Sequence, residues 1–206
     1  MVRHIALINP PAPDYFSRAY FCSKVAKARY VEPVTDLVVM SGNLSESGYD
    51  LSFIDGIAER CSVESVIARI GGRKPRAAIV MAGSASWEHD RGFIRALKRE
   101  VGCNIVAIGD LFLERAEEYL RGNPELDAVT LDFTENNVPP FLEGRWDAIR
   151  SMVYRRGGDV VRAPRDMAQR EYRTGPPPYE LFMKYPYRFP FSRKRPYDVL
   201  LTDYCR

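Results

Sequence analysis

The chain has 206 residues, 46% of them hydrophobic, and a formal net charge of +3, which is enough apolar material for a real core and excludes a chain disordered throughout. No run of about eighteen apolar residues offers a membrane helix, and Met1 leads into "VRHIALINPP" with no room for a signal peptide, so a cytoplasmic protein with no membrane partner is expected. Charge is uneven, with Lys+Arg against Asp+Glu at 16 to 20 over residues 1–144 and 14 to 7 over residues 145–206, and the four cysteines lie far apart with no CxxC pair, so neither a complete zinc site nor a small-domain disulfide framework can be read from them.

In chain order, "HIALINP" (His4 to Pro10) reads as a buried strand, followed by more than twenty residues, Ala12 to Glu32, before the next convincing helix. A βα loop of that length suggests a segment that covers a ligand or meets a partner. "PVTDLVVMSGNLSESG" reads as a helix, "LSFID" (Leu51 to Asp55) as a strand and "SVESVIARIGG" as a helix. "AAIVMAG" (Ala77 to Gly83), "WEHDRGFIRALKREVG", "NIVAIG" (Asn104 to Gly109), "FLERAEEYLRGN" and "DAVTLDF" (Asp127 to Phe133) continue the alternation. The helical stretches end at glycine or asparagine, as helix C-termini tend to.

Strands separated by helices must run parallel, since a parallel return needs a crossover, and near-continuous apolar strands fit a sheet covered on both faces. The expected fold is therefore α/β, a doubly wound, flavodoxin/Rossmann-like five-stranded parallel sheet over residues 1–144. Residues 145–206 add a β-hairpin, "SMVYRRGGDVVRA", expected outside the main sheet, and a basic, aromatic and proline-rich linker that cannot form one helix. Ligands of such sheets lie beyond the carboxyl ends of the strands. Neither GxGxxG after the first strand nor GxxxxGK[ST] occurs, which removes the ordinary dinucleotide and P-loop readings.

The ordered set "INPP", "ESGYDLSFIDG", "PRAAIVMAGSAS", "NIVAIGD" and "NPELDAVTLDFTE" resembles the N-terminal cobalamin-binding domain of B12-binding radical SAM proteins over residues 3 to 136. Further on, "RSMVYRRGGDVVRAP" resembles the family's small hairpin, "PPPYELF" its linker, and "YDVLLTDYC" the first strand of a radical SAM barrel. The resemblance implies a corrinoid partner, with Asn9, Pro10, Pro11, Asp55, Ser84, Ser86, Gly109, Asp110, Thr134 and Glu135 around it. It also implies a barrel in cis, with Cys205 as a first cluster cysteine whose partners would follow. The [4Fe-4S] cluster and S-adenosylmethionine belong to that longer protein, because one cysteine cannot hold a cluster. This chain is then expected to bind corrinoid without turning over substrate.

Cobalt would be held base-off, with the cofactor's tail entering between strands, and without a protein imidazole. The two histidines, His4 and His89, do not sit in a DxHxxG motif. Trp87 could pack on the corrin or fill a seam of the domain. Several positions keep ordinary alternatives: Asn9 to Pro11 can simply end a strand, and Ser84 and Ser86 can simply make a turn. Two other classes of function remain open. One is a small-molecule enzyme on the same sheet using Cys103 or Asp55, although Cys103 opens a strand and so lies at the wrong end. The other is a nucleic-acid or protein module acting through "YPYRFPFSRKRPY", where basic and aromatic residues interleave. A linker packed on its own domain is the plainer reading, and nucleic acid is not the expected partner.

Overall fold

The computed structural model describes residues 3–27, 29–165 and 174–188. Strands β1 (His4–Asn9), β4 (Asp50–Asp55), β5 (Ala77–Met81), β6 (Asn104–Ile108) and β7 (Ala128–Thr130) pair in parallel in the order β4-β1-β5-β6-β7, the flavodoxin order. All five expected strands are present. Between β1 and helix α1 (Thr35–Glu46) the long loop carries an antiparallel hairpin of its own, β2 (Phe16–Ala19) and β3 (Cys22–Val25).

The strand residues divide by parity, as a pleated sheet requires. Ile5, Leu7, Phe53 and Ile79 face α1 and a short helix α6 (Val138–Glu143), while Ala6, Ile8, Ile54 and Val80 face the helices α3 (Val63–Arg73), α4 (Trp87–Val101) and α5 (Phe112–Gly122). Local chemistry sets the helix ends. Ser62 caps α3 through an Oγ that accepts from the Ser65 N–H at 3.2 Å, and Gly102, at φ +69°, closes α4 in the left-handed conformation that glycine adopts without penalty. A one-turn helix α2 (Gly56–Glu59) follows β4 directly.

The hairpin at residues 152–162 is present but does not stand apart as expected. Strand β8 (Met152–Arg156) pairs antiparallel with β7, and β9 (Asp159–Arg162) pairs with β8, so the main sheet has seven strands. The reason is an edge: β7 would otherwise expose a row of unpaired backbone groups, and β8 covers it. Residues 174–188 are also packed on the domain. Phe182, Tyr185 and Tyr187 are buried in the α1 face of the core beside Phe53, with a short helix α7 (Glu180–Met183) between turns. The main core thus continues past residue 144. The stretches 166–173 and 189–206, with the expected barrel strand and Cys205, lie outside the described residues.

Docking of this arm depends on a close backbone approach. A Cβ placed on Gly42 of α1 would lie 2.0 Å from the Gly175 carbonyl oxygen, and one on Gly175 would lie 2.5 Å from the Gly42 oxygen. Gly42→Ala should therefore cost about 1–3 kcal/mol as an overpacking change and lift the arm selectively. Hydrogen exchange is the measurement: the Tyr185 and Arg188 amides, bonded to Phe182 and Val31, should lose protection while β1 keeps its own. Equal loss in β1 and the arm would contradict selective release.

Candidate functional site

The carboxyl ends of the parallel strands carry two polar clusters, and both are built around the β2–β3 hairpin. The first lies at the topological switch between β1 and β5. Arg18, in β2, is 2% exposed, and its guanidinium enters this crevice. Nε donates to Asp90 Oδ1 at 3.0 Å and to Ser86 Oγ at 3.2 Å, Nη1 to Asn9 Oδ1 at 2.6 Å and to the Pro10 carbonyl at 3.0 Å, and Nη2 to Asp90 Oδ1 at 2.7 Å. Asp90, in the first turn of α4, also accepts from the Gly83 N–H at 2.9 Å and from Ser86 Oγ at 2.6 Å. The Arg18 and Asp90 side chains have no solvent exposure.

Asn9 extends this network to Asp55, donating from Nδ2 to Oδ1 at 3.0 Å. Asp55 caps α2 by accepting from the Ala58 N–H at 2.8 Å, and its other oxygen accepts from Tyr187 Oη of the docked arm at 2.9 Å. Burial pushes the Asp55 carboxyl up from its ordinary value, against the opposing pull of Ala58, Tyr187, Asn9 and Arg18. Pro11 seals the same corner, since a Cβ on Gly56 would stand 2.5 Å from its nitrogen.

The second cluster joins β3 to the loops after β5 and β6. Asp110 accepts from the Ser84 N–H at 2.9 Å, Ser84 Oγ at 2.8 Å, and the Ser23 N–H and Oγ at 3.0 Å each. Burial works against the ionised Asp110, but these four donors outweigh it and hold the carboxyl below its usual range. Ser23 Oγ is also 2.9 Å from Ser84 Oγ and accepts from the Ala85 N–H at 2.9 Å. A Cβ on Gly83 would meet Ser23 Cβ at 2.6 Å, and one on Gly109 would meet the Ala82 oxygen at 1.6 Å. A side chain at Gly109 therefore strikes backbone, so replacing it would damage folding rather than only exclude a ligand.

Eight of the ten expected residues thus fall at this edge: Asn9, Pro10, Pro11, Asp55 and Ser86 around Arg18, and Ser84, Gly109 and Asp110 around Ser23. Thr134 and Glu135 lie in the loop after β7, where Thr134 is tied to Asp132 and to Asn43 of α1, and the Glu135 carbonyl accepts from the Asn137 N–H. Arg18, Ser23 and Asp90 were not anticipated. One signal was present in "YFSRAYF": Arg18 has aromatic residues at i−2 and i+2, which in a strand places an arginine on an apolar face.

Other candidates resolve plainly. Trp87 is half-buried and packs edge-on against Phe112 and Tyr119 at the margin of the core, and the exposed His89 lies 5.8 Å from the Phe16 ring. Burial pushes the Cys103 thiol up to about 11, and it precedes β6 at the amino end, so it is a poor nucleophile at the wrong edge. Among the described residues no group of three or more His, Cys, Asp or Glu side chains could hold a metal, and no helix is long and apolar enough to cross a membrane. Tyr185 and Tyr187, the first aromatics of the basic segment, are buried and unavailable for stacking on bases. A cleft of about 220 Å³ lies beside Ala12, Tyr15, Ile57 and Arg60, and one of about 600 Å³ opens at the amino ends of β5 and β6 near Arg76 and Asn104.

No family model and no curated protein matches this sequence. Solved structures do match in fold. The radical S-adenosylmethionine methyltransferase TsrM from Kitasatospora setae, with cobalamin and a [4Fe-4S] cluster bound, superimposes at a TM-score of 0.59 with 15% identity, over 85% of this chain and 31% of that one. The cobalamin-dependent S-adenosylmethionine radical enzyme OxsB, with aqua-cobalamin and S-adenosylmethionine bound, gives 0.62 with 10% identity, over 81% and 23%. The chain spans less than a third of the length of either enzyme, and what it shares with this portion of cobalamin-binding radical SAM enzymes is the fold.

Proposed function

We propose that this chain is the corrinoid-binding N-terminal portion of a cobalamin-dependent radical SAM enzyme, with residues 1–144 as the cobalamin-binding domain and residues 145–206 leading toward a barrel in cis. The extent of the fold likeness carries the reading. It covers 85% of the chain, more than residues 1–144 alone could supply, so elements beyond the common flavodoxin-like sheet take part. The course of the arm adds support, because Tyr187 bonds to Asp55 and the Arg188 N–H to the Val31 carbonyl, which delivers the chain to the carboxyl edge of the sheet.

The edge residues fit a corrinoid in one respect and not in another. Phe21 and Val25 of the hairpin are 71% and 45% exposed and offer an apolar surface for a corrin ring. The polar atoms of Asn9, Asp55, Ser84, Ser86 and Asp110 are engaged with one another or with the hairpin, so none is left waiting for a cofactor tail. A bound corrinoid supplies cobalt-centred alkyl transfer. This chain's part is to carry and orient it, with substrate chemistry left to the longer protein.

Titration of the full chain with hydroxocobalamin and methylcobalamin tests the reading. Co-elution with the protein and a saturable change in the corrinoid spectrum are expected. Failure of both compounds to bind the folded chain at high micromolar concentration removes it.

A further inference from the structure

We infer that the β2–β3 hairpin on the carboxyl edge and the docked arm of residues 174–188 are coupled through the buried side chains between them, so that loosening either one loosens the other. The coupling belongs to the chain's own contacts and holds whatever ligand the edge takes.

Five buried side chains, Asp90, Arg18, Asn9, Asp55 and Tyr187, form one unbroken line of hydrogen bonds from α4 through the hairpin, β1 and β4 to the arm. Asn9 is the central link. Its Oδ1 accepts from Arg18 Nη1 at 2.6 Å and its Nδ2 donates to Asp55 Oδ1 at 3.0 Å, and turning the amide over would set its NH2 against the guanidinium and its oxygen against the carboxylate. The cation on the hairpin and the carboxylate under the arm therefore fix the same amide from opposite ends. Arg18 also favours the ionised Asp55 through its charge. Tyr187 Oη completes the line by donating to Asp55 Oδ2 at 2.9 Å. Releasing the arm takes a donor from a buried carboxylate, and the loss is passed on to Arg18 because hydrogen-bonded groups at low dielectric polarise one another.

A second path runs through the segment after the hairpin. Glu32 accepts from Ser17 Oγ of β2 and pairs with Lys24 Nζ of β3 at 2.8 Å. The carbonyl of Val31, the residue before it, accepts the Arg188 N–H at 2.9 Å. The segment that holds both hairpin strands thus also holds the arm. A ligand that moves the hairpin is thereby felt at Arg188, next to residues 189–206.

Hydrogen exchange on the full chain tests the coupling in two arm variants. Tyr187→Phe removes the hydroxyl and keeps the ring beside Tyr185, and Gly42→Ala presses on the arm at Gly175, away from both paths. The readout in the hairpin is the Ser23 and Ala26 amides, bonded to Asp110 and Tyr15 rather than to α1. In each variant they are expected to exchange at least about threefold faster together with Tyr185 and Arg188, the low end of interaction energies within one hydrogen-bond network, while the β6 amides change less. Ser23→Ala, which loosens the hairpin from Asp110, should in turn speed exchange at Tyr185 and Arg188, since coupling between two sites is reciprocal. Faster exchange in the arm with Ser23 and Ala26 unchanged means that the two elements open separately and overturns the inference. An equal rise in β6, an unresponsive hairpin in both arm variants, or an arm that ignores Ser23→Ala overturns it as well.

Discussion

Replacing Arg18 with methionine is expected to lower the unfolding free energy by about 3–5 kcal/mol, the usual cost of breaking a buried ion pair from one side. Methionine keeps much of the side-chain bulk, so packing against Phe16 is largely retained and the loss is electrostatic. Asp90 would keep its bonds from Gly83 and Ser86 but lose the guanidinium, and Asn9 and Pro10 would lose a buried donor. Against a typical domain stability of about 5–15 kcal/mol this is a large fraction. Urea denaturation measures it. The double variant Arg18→Met/Asp90→Leu should be less destabilised than the sum of its single changes, because removing both charges leaves none buried alone. Additive effects, or a single-variant loss below about 1 kcal/mol, would mean that Arg18 does not hold the hairpin over the edge.

Stability should also fall as pH rises from about 4 to about 7, through Asp36. This residue in the first turn of α1 is 6% exposed, and its Oδ2 accepts the Tyr20 N–H of the hairpin at 2.9 Å. Burial raises its carboxyl to about 7, and the backbone bonds from Tyr20 and from its own amide only partly offset this. An unfolded aspartate ionises near 3.9. Between those values the native state holds a proton that the unfolded state has released, so each rise in pH favours unfolding. The contribution is complete below the unfolded value and lost by about pH 7, with a span on the order of 4 kcal/mol. Glu59 acts in the opposite direction at lower pH: burial opposes its ionisation, but bonds from Arg69, Tyr185 and Cys61 win and hold it at about 2, so its share is present above its ordinary value and lost toward pH 2.

Asp36→Asn isolates the Asp36 effect. The amide mimics the protonated acid and can still accept from Tyr20, so the variant should match the wild type at about pH 4 and below, exceed it increasingly up to about pH 7, and keep a constant lead above that. Parallel stability curves for the two proteins between about pH 4 and about pH 7 would refute the assignment.

The order of strands and helices could be read from local sequence alone. "HIALIN", "AAIVM" and "NIVAI" are apolar at successive positions because both faces of a parallel strand are covered, and the intervening helices carry their apolar residues at a period of 3.6 and close at residues such as Gly102. Those patterns need no knowledge of what lies across the fold, and they also determined that function should be sought at the carboxyl edge. Most of the expected site residues do meet there. Their partners were not legible, because a hydrogen bond leaves no mark in local periodicity when its two ends lie far apart in the chain. Arg18 meets Asp90 over 72 positions, Ser23 meets Asp110 over 87, and Tyr187 meets Asp55 over 132. The same holds for the residue 152–162 hairpin, whose two-glycine turn specifies a hairpin but not which sheet edge it will cover. The tertiary structure alone decided that Arg18 and Ser23 hold the β2–β3 hairpin on this edge, since that attachment depends on buried donors and acceptors finding one another in space.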